Sequence, residues 1–363
     1  MLLLNALPDH GRPLYAADAA LFGEAAAREV AAHLARRADH APTPLLRLPG
    51  LAARIGVGAV AVKDEGRRLG LGSFKALGGA YAVSRAARDH VAAKLGRAVE
   101  ARELEAGPGR NVLADFVVCC ATDGNHGRSV AQGARMLGAR CVVFVHAGVS
   151  EARADAIASF GAEIARVAGS YDDSVEEAAR VAAREGWTVA SDTAWPGYER
   201  IPGYVMEGYT AIVDEALAAL DAPPTHMFLQ AGVGGFAAAV AGRFAARLGE
   251  ARPKVVVVEP ARAACLLASA MAGAALRIPH GEPTVMAMLE CREPSLSAWR
   301  ILSRLADAFM SVEEEESPAA MLRLARPAPG DPAIVAGESG CVGLAGLLNI
   351  ARDDAARAAL GLD

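Results

Sequence analysis

A run of four valines constrains the fold of this chain more than any other feature. The run, Val255–Val258, lies between Lys254 and Glu259 and contains no polar residue. A strand that is apolar at every position has both faces buried, which is typical of a parallel sheet covered by helices. Apolar segments alternate with helical patterns from Val60 onward. This alternation predicts an α/β protein with mostly parallel, twisted sheets covered by helices.

Length and charge limit the classes of protein that remain. The chain has 363 residues, 53% of them apolar, which is enough for two domains or one large α/β unit. Its net charge is −5 and it has no basic block, so a nucleic-acid partner is not predicted. No apolar run approaches the roughly 20 residues of a membrane span, and no membrane partner is predicted. Met1–Leu4 is too short for a signal peptide, and we expect a cytoplasmic protein.

A lysine at a predicted helix start is the first candidate for chemistry. It lies in the stretch Gly72-Ser73-Phe74-Lys75-Ala76-Leu77-Gly78-Gly79. Ser73 can cap a helix that begins at Phe74, because its hydroxyl can accept a first-turn N–H. The positive helix end disfavours the Lys75 ammonium and favours the neutral amine that Schiff-base chemistry requires. The alternative is a solvated lysine on a surface helix.

Three further candidates each follow a predicted apolar strand. They are the stretch Thr122-Asp123-Gly124-Asn125-His126-Gly127, the residue Asp192, and the loop Gly232-Val233-Gly234-Gly235. Free N–H groups in a glycine loop before a helix can bind a phosphate. Because ligands bind at the carboxyl ends of strands in doubly wound sheets, we expect these residues to share one site. A helix cap for Asp123, a turn residue for Asp192 and a packed His126 are the structural alternatives.

These motifs resemble the fold-type-II pyridoxal-phosphate enzymes and, among them, the diaminopropionate ammonia-lyase family. Ser73-Phe74-Lys75, with Lys63-Asp64-Glu65 upstream, resembles the block that carries the cofactor lysine. The stretch around Asn125 is similar to the lyase form of the asparagine loop, whereas dehydratases usually have alanine at the position of Asp123. The resemblance extends from about Pro42 to Leu347 and includes the segments 191–198 and 337–340.

The resemblance implies the cofactor pyridoxal 5'-phosphate and a role for each motif. Lys75 binds the cofactor covalently, Asn125 contacts its ring hydroxyl and Ser339 its ring nitrogen. The phosphate is held by the glycine loop, which consists of Gly232, Val233, Gly234 and Gly235. The cofactor is expected in a cleft between two domains. These are a large cofactor-binding domain of residues 1–79 plus 191–363, and a small domain of residues 80–190 that carries the Asp123/Asn125 loop.

The implied reaction is elimination of ammonia from 2,3-diaminopropionate, a small amino acid, to give pyruvate and ammonia. In the resembled family two aspartates act as general bases, and Asp123 and Asp192 match them as bases for the D and the L substrate respectively. The family also implies a homodimer. A pairing of Cys265 with Cys291 is implied only by the family's cysteines at similar positions. A disulfide is unusual in a cytoplasmic protein.

Other functions remain open from the sequence. A serine/threonine dehydratase is the nearest alternative, and Asp123 is the feature that distinguishes it. Gly232–Ala237 also fits the G-x-G-x-x-A pattern of a nicotinamide-dependent dehydrogenase, with Glu259 as the ribose-binding carboxylate, but that reading leaves Lys75 unexplained. A catalytically silent protein that binds pyridoxal phosphate is a third possibility. No metal site is predicted, because the six cysteines and eight histidines lack metal-ligand spacing.

Overall fold

The strands form three sheets in the computed structural model, which describes residues 1–122 and 124–362. They are β1 (Leu2–Leu4), β2 (Leu45–Arg47), β3 (Ala61–Lys63), β4 (Val117–Ala121), β5 (Arg140–His146), β6 (Glu163–Val167), β7 (Thr188–Val189), β8 (His226–Gln230), β9 (Lys254–Pro260) and β10 (Ala308–Val312).

Helices separate most of these strands in the chain. They are α1 (Ala16–Phe22), α2 (Glu24–Ala35), α3 (Pro49–Ile55), α4 (Lys75–Leu95), α5 (Pro108–Val112), α6 (Asn125–Leu137), α7 (Glu151–Ala158), α8 (Tyr171–Glu185), α9 (Arg200–Ala219), α10 (Gly235–Leu248), α11 (Cys265–Ala272), α12 (Leu296–Leu305), α13 (Glu316–Ala325), α14 (Val342–Ala351) and α15 (Asp354–Leu360).

The two larger sheets have four strands each. One has the order β1-β10-β9-β8, and its strands are parallel except for β1, which pairs antiparallel with β10. The other has the order β6-β5-β4-β7 and is parallel throughout. The α/β architecture with parallel sheets is therefore as predicted. All strands of the second sheet lie within residues 80–190, which supports the proposed domain division without testing its boundaries.

The amino-terminal helical segment is interrupted, although the amphipathic pattern of residues 22–38 predicts one helix there. Gly23 has an extended backbone, so α1 ends at Phe22 and α2 begins at Glu24. The Phe22 ring is fully buried and packs directly on Gly242 of α10, where an added β-carbon would lie 2.3 Å from the ring. This close contact requires Phe22 to turn inward, which accounts for the break between the two helices.

The sequence pattern predicts that the helix of Lys75 ends at about Ala87, but α4 is longer, because its buried face continues past that residue. Val91 is fully buried one turn further on, and the His90 ring packs on Phe116 with 5.3 Å between centroids. The helix ends at Leu95, and Gly96 takes the left-handed conformation, with φ of 67°, that commonly terminates helices. The helix thus runs from Lys75 through the centre of the molecule, where it packs against α6 and α9.

A cluster of buried charges lies just before Lys75 in the chain. The fully buried Arg68 guanidinium donates to Glu65 at 2.7 Å and to Glu215 of α9 at 2.6 Å. The Lys63 ammonium donates to Glu215 at 2.6 Å. Burial lowers the pKa of Arg68, but the two carboxylates together raise it by more than burial lowers it, so the guanidinium stays charged. The cluster attaches the segment that leads to Lys75 to helix α9.

Removing the guanidinium from this cluster should destabilise the fold. Removal of one partner from a buried ion pair costs about 3–5 kcal/mol, because buried charge is left uncompensated. Without Arg68, the Lys63 ammonium alone would face two carboxylates, Glu65 and Glu215. We therefore expect Arg68→Met to lower the free energy of unfolding by that amount in urea titrations. Arg47→Met is the matched control, because its partner Asp221 is 90% exposed and exposed pairs contribute about 1 kcal/mol at most. Equal effects of the two substitutions would contradict the prediction.

Residues 1–122 and 124–362 contain neither a candidate metal site nor a candidate membrane span. Within these ranges, no group of His, Cys, Asp or Glu side chains could hold a metal ion. Over the same ranges, no helix is both long and apolar enough to cross a membrane.

Candidate active site

Lys75 is the first residue of α4, one position later than the helix start that the sequence predicted. The Ser73 hydroxyl accepts a hydrogen bond from the Lys75 backbone N–H at 3.3 Å. The ring of Phe74 packs on Phe236 of α10, with 4.4 Å between centroids, and on Tyr209 of α9, with 5.1 Å. These aromatic contacts fix the lysine relative to the helix that follows the glycine loop.

The backbone just before Lys75 has an unusual conformation. Leu69 has a φ of 48°, the one positive value for a non-glycine residue in the described ranges, and Gly72 follows with 67°. Left-handed backbone is disfavoured for leucine and needs support from its surroundings. Two side chains of α6 provide it, because Gln132 donates to the Leu69 carbonyl at 3.3 Å and Arg128 to that of Leu71 at 3.2 Å. The lysine segment is thereby held against α6.

Asp192 and Lys75 form an ion pair, although they are 117 residues apart in the chain. The Lys75 Nζ donates to Asp192 Oδ2 at 2.5 Å, and both side chains are about three-quarters buried. Asp192 follows β7, which pairs in parallel with β4. Burial raises the pKa of Asp192. The charge and the hydrogen bond of the Lys75 ammonium lead the opposing effects, which together outweigh burial, so that the pKa lies well below its ordinary value. With this partner, Asp192 is an ionised carboxylate of low basicity.

His126 is the second titratable group beside Asp192. Its ring is buried, and Nε2 lies 2.7 Å from the carbonyl oxygen of Ala190. Its Nδ1 lies 3.9 Å from Asp192 Oδ2, which is too long for a hydrogen bond. Burial lowers the pKa of His126 from its ordinary value, and the charge of Asp192 only partly opposes that effect. The ring is therefore neutral and packed, in agreement with the structural interpretation of the sequence.

The glycine loop lies beside Asp192, and at Gly232 it is packed too closely for a side chain. A β-carbon on Gly235 would lie 3.6 Å from the Asp192 carbonyl oxygen, and one on Gly232 would lie 2.8 Å from the Cys291 sulfur. Gly234 has a φ of 94° and precedes the first residue of α10. A helix amino terminus with free N–H groups and no side chains in the way is suited to a phosphate. The loop therefore fits the phosphate of the predicted cofactor.

The other two predicted cofactor contacts, Asn125 and Ser339, lie at or just before the start of a helix. Asn125 is the first residue of α6, and its Oδ1 accepts from Arg128 at 3.5 Å. Ser339 lies in the turn before α14, and no hydrogen bond joins it to Lys75 or Asp192 among the described residues. Asp123 lies outside the described residues, so its predicted role stays a prediction.

Two cysteines flank Gly232, and both are free thiols in this structure. The Cys265 sulfur lies 3.6 Å from the Gly232 carbonyl oxygen, and the Cys291 sulfur lies where a β-carbon on Gly232 would meet it. Burial raises the pKa of Cys291 to about 12, so its thiol is protonated at neutral pH. The pairing of Cys265 with Cys291 that the resemblance implied is not formed here.

Glu259 has a structural role that removes the support for a nicotinamide site. Its side chain is fully buried, and its two oxygens accept the N–H groups of Leu266 and Leu267 at 2.8 and 2.7 Å. Burial raises the pKa of Glu259 to about 8, against the lowering effect of these hydrogen bonds. The carboxylate caps α11 and is not free to bind a ribose.

Tyr198 positions Asp192, a role that the sequence analysis did not assign. Its hydroxyl accepts from the Ser191 N–H at 3.1 Å and donates to the Val189 carbonyl at 2.8 Å. Its ring stacks on Trp195 with 4.1 Å between centroids. The available signal was the sequence Trp195-Pro196-Gly197-Tyr198, which is typical of a turn that brings its ends together.

A side chain at Gly234 should weaken cofactor binding. Gly234→Ala would force a β-carbon into left-handed backbone, 3.2 Å from Ala298, Leu266 and Leu302. In the cofactor-free variant the loop can relax away from this strained conformation, but it must return to it in order to bind the phosphate. We expect a strain of about 1–2 kcal/mol and a roughly 5- to 30-fold weaker Kd for pyridoxal 5'-phosphate, measured by absorbance titration. Gly58→Ala, where nothing lies within 4 Å, is the control, and an equal Kd in both variants would contradict the prediction.

Comparison with known proteins assigns the family. The family model described as "Pyridoxal-phosphate dependent enzyme" matches residues 37–359. The diaminopropionate ammonia-lyase of Salmonella typhimurium is 39% identical over 333 residues, which are 88% of this chain and 80% of that protein. A biosynthetic L-threonine dehydratase of Haemophilus influenzae is more distant, at 26% identity over 237 residues, 63% of this chain and 42% of that protein.

A solved structure gives the same assignment. The crystal structure of the Escherichia coli diaminopropionate ammonia-lyase in complex with D-serine superposes with a TM-score of 0.87 and 32% identity. The match covers 100% of this chain and 90% of that one. The chain therefore belongs to the pyridoxal-phosphate-dependent enzymes and, within them, to the diaminopropionate ammonia-lyase family.

Proposed function

We propose that this protein eliminates ammonia from 2,3-diaminopropionate, giving pyruvate and ammonia, with pyridoxal 5'-phosphate as cofactor. The observation that carries the proposal is the Lys75–Asp192 pair beside the glycine loop. It combines an amine for the cofactor, a carboxylate for the substrate and a phosphate site. The identity to lyases over most of both chains supports the substrate class.

Lys75, Asn125, Ser339 and the loop Gly232, Val233, Gly234 and Gly235 would hold the cofactor. When bound, pyridoxal 5'-phosphate supplies an electron sink for the pair left behind when a Cα–H bond breaks. Lys75 would hold it through its amine, and Asn125 would donate to its ring hydroxyl. Ser339 would offer the ring nitrogen a neutral hydroxyl, which does not stabilise a proton there, so elimination is favoured over transamination.

Asp192 is proposed as the general base for the L substrate. In the ion pair its basicity is low, because the Lys75 ammonium stabilises the ionised carboxylate. With cofactor and substrate bound, Lys75 would be either linked to the cofactor or displaced from it as a neutral amine, so the stabilisation by its ammonium is lost and burial raises the proton affinity of Asp192. The carboxylate then becomes a suitable base at the time it is needed. Asp123 is proposed by resemblance as the base for the D substrate.

The carboxylates of Asp192 and Asp123 would also favour the proposed substrate over serine and threonine. A protonated β-amine carries a positive charge that carboxylates attract, and it can leave as neutral ammonia. Serine and threonine have a neutral hydroxyl in its place, which gains nothing from the attraction. If the protein were a dehydratase, its affinity for serine or threonine would therefore depend little on the charges of these carboxylates.

Product formation from four amino acids tests the function. We expect pyruvate release from D- and L-2,3-diaminopropionate, with kcat/KM well above that for release of pyruvate from L-serine or 2-ketobutyrate from L-threonine. Lactate dehydrogenase coupling measures both keto acids. Preference for L-serine or L-threonine would favour a dehydratase, and cofactor binding without any turnover would favour a silent binding protein.

We also propose a cytoplasmic homodimer with the two-domain division given above. All six cysteines are free thiols, as a reducing compartment favours. Exposed apolar side chains on edge strand β1 and at the end of α11, Leu4 and Met271, lie on a groove of about 350 Å³ that a second copy could cover. Light scattering after gel filtration would measure the oligomeric state.

A further inference from the structure

His126 is a buried titratable group that the mechanism above does not use. Its Nε2 lies 2.7 Å from the Ala190 carbonyl oxygen. A carbonyl oxygen only accepts hydrogen bonds, so Nε2 must carry a hydrogen. In a neutral ring, Nδ1 is then a hydrogen-bond acceptor with a free lone pair. The contact with Ala190 thus fixes both the tautomer and the orientation of the ring.

The free Nδ1 points towards the proposed base. It is buried and has no hydrogen-bond partner within the described part of the chain, and it lies 3.9 Å from Asp192 Oδ2. The same oxygen is held by Lys75 Nζ at 2.5 Å. An ionised carboxylate has no hydrogen to donate to a lone pair, so these two groups cannot bond in this state. They can bond only after Asp192 has taken up a proton.

We propose that His126 is a positioning residue whose Nδ1 accepts a hydrogen bond from the protonated form of Asp192. The inference rests on the proposed function, because it requires Asp192 to act as a base. The bond would form once Lys75 no longer holds Oδ2, Asp192 has taken up the substrate proton and the carboxyl group has turned towards the ring. It stabilises the acid form of Asp192 alone, and therefore raises the proton affinity of the base.

The surroundings of the ring support this role. Ala190 precedes Asp192 by two residues, so one short segment anchors the ring and carries the carboxylate. Tyr198 fixes the same segment through Ser191. The described charged groups that act on His126 are Asp192 and Lys75, and Nδ1 accepts no hydrogen bond from any residue in the described ranges. The arrangement thus provides one acceptor, the Nδ1 of His126, for the proton on Asp192.

Two substitutions separate this role from simple anchoring. His126→Gln places an amide nitrogen near the position of Nε2, so it keeps a donor for Ala190 but has no atom at Nδ1. His126→Asn places a polar atom near Nδ1 but does not reach Ala190. We expect His126→Gln to lower kcat/KM by about 10- to 100-fold, as for other residues that orient a functional group. The loss should appear with the enantiomer that Asp192→Asn affects and not with the other.

Two kinetic outcomes would overturn the proposal. If His126 only anchors Ala190, the Gln substitution should leave both enantiomers near wild-type rates, whereas the Asn substitution impairs both. An equal loss with both enantiomers in the Gln variant would also exclude a role through Asp192. The enantiomer that does not depend on Asp192 reports folding and cofactor loading in each variant.

A spectroscopic measurement tests the same geometry without turnover. In the cofactor-free protein labelled with ¹⁵N-histidine, His126 at about pH 8, above the ordinary pKa of about 6.5, should show a protonated Nε2 and an unprotonated Nδ1. Asp192→Asn supplies an amide donor in place of a protonated carboxyl group, so it should shift the Nδ1 resonance. A protonated Nδ1 in the wild type, or no shift in the variant, would overturn the proposal. If neither enantiomer is a substrate, the proposed function fails while this test still decides the geometry.

Discussion

Lys75→Ala should abolish turnover. Removal of one catalytic group typically lowers the rate by about 10²- to 10⁴-fold, and we expect a loss at least as large here. The chain has four lysines, and the structure places the Lys75 amine 2.5 Å from Asp192, beside the glycine loop. No other residue type can supply the amine that pyridoxal phosphate requires. The loss should appear in kcat with either enantiomer, because both reactions need the same cofactor linkage.

The linkage itself can be mapped. Borohydride reduction of the loaded wild-type protein, followed by peptide mapping, should find the pyridoxyl group on Lys75. Lys94 is exposed near the end of the same helix, so Lys94→Ala is the matched control and should keep wild-type turnover and labelling. A label on Lys63 or Lys94 would refute the assignment.

Asp123→Asn and Asp192→Asn should each impair one enantiomer more than the other. Loss of one general base typically costs about 10²–10⁴ in rate, so the asymmetry should be large. We assign Asp123 to the D substrate by resemblance, and Asp192 to the L substrate. Asparagine preserves the shape of each side chain and removes the charge. Initial rates with both enantiomers of 2,3-diaminopropionate measure the effect.

Cofactor loading must be measured in the same samples, because Asp192 also contacts Lys75. Absorbance of the bound cofactor should show similar loading in both variants and in the wild type. If both variants lose both activities equally at full loading, the aspartates are shared binding groups for the β-ammonium. The assignment of one base to each enantiomer would then be wrong.

The elements that sequence predicted best are those with local signals. The apolar pattern predicts a strand over Glu163–Val167, which is what β6 spans, and the helical pattern from Asp172 to Glu185 predicts α8, which begins one residue earlier, at Tyr171. Ser170 explains the helix start, because its hydroxyl accepts the Asp173 N–H while Asp173 bonds back to Ser170. Such capping needs only neighbours in sequence, so it can be read without the fold.

Contacts between distant segments could not be predicted in this way. The sequence placed Lys75 and Asp192 in one cleft, but nothing local indicates that they form an ion pair. The ring orientation of His126 depends on the carbonyl of Ala190, a group that every residue has and that no pattern marks. The strand Leu2–Leu4 is three residues long, too short for a period, and it exists because it pairs with β10.

That pairing sets an order for folding during synthesis. The sheet β6-β5-β4-β7 uses strands between residues 117 and 189, so it can close once that stretch has left the ribosome. The sheet β1-β10-β9-β8 cannot, because Leu2 pairs with Met310. Residues 2–4 must wait unpaired until residues 308–310 have been synthesised. Pairing across such a distance is slow and exposes strand edges meanwhile, so the nascent chain should depend on chaperones until β10 arrives.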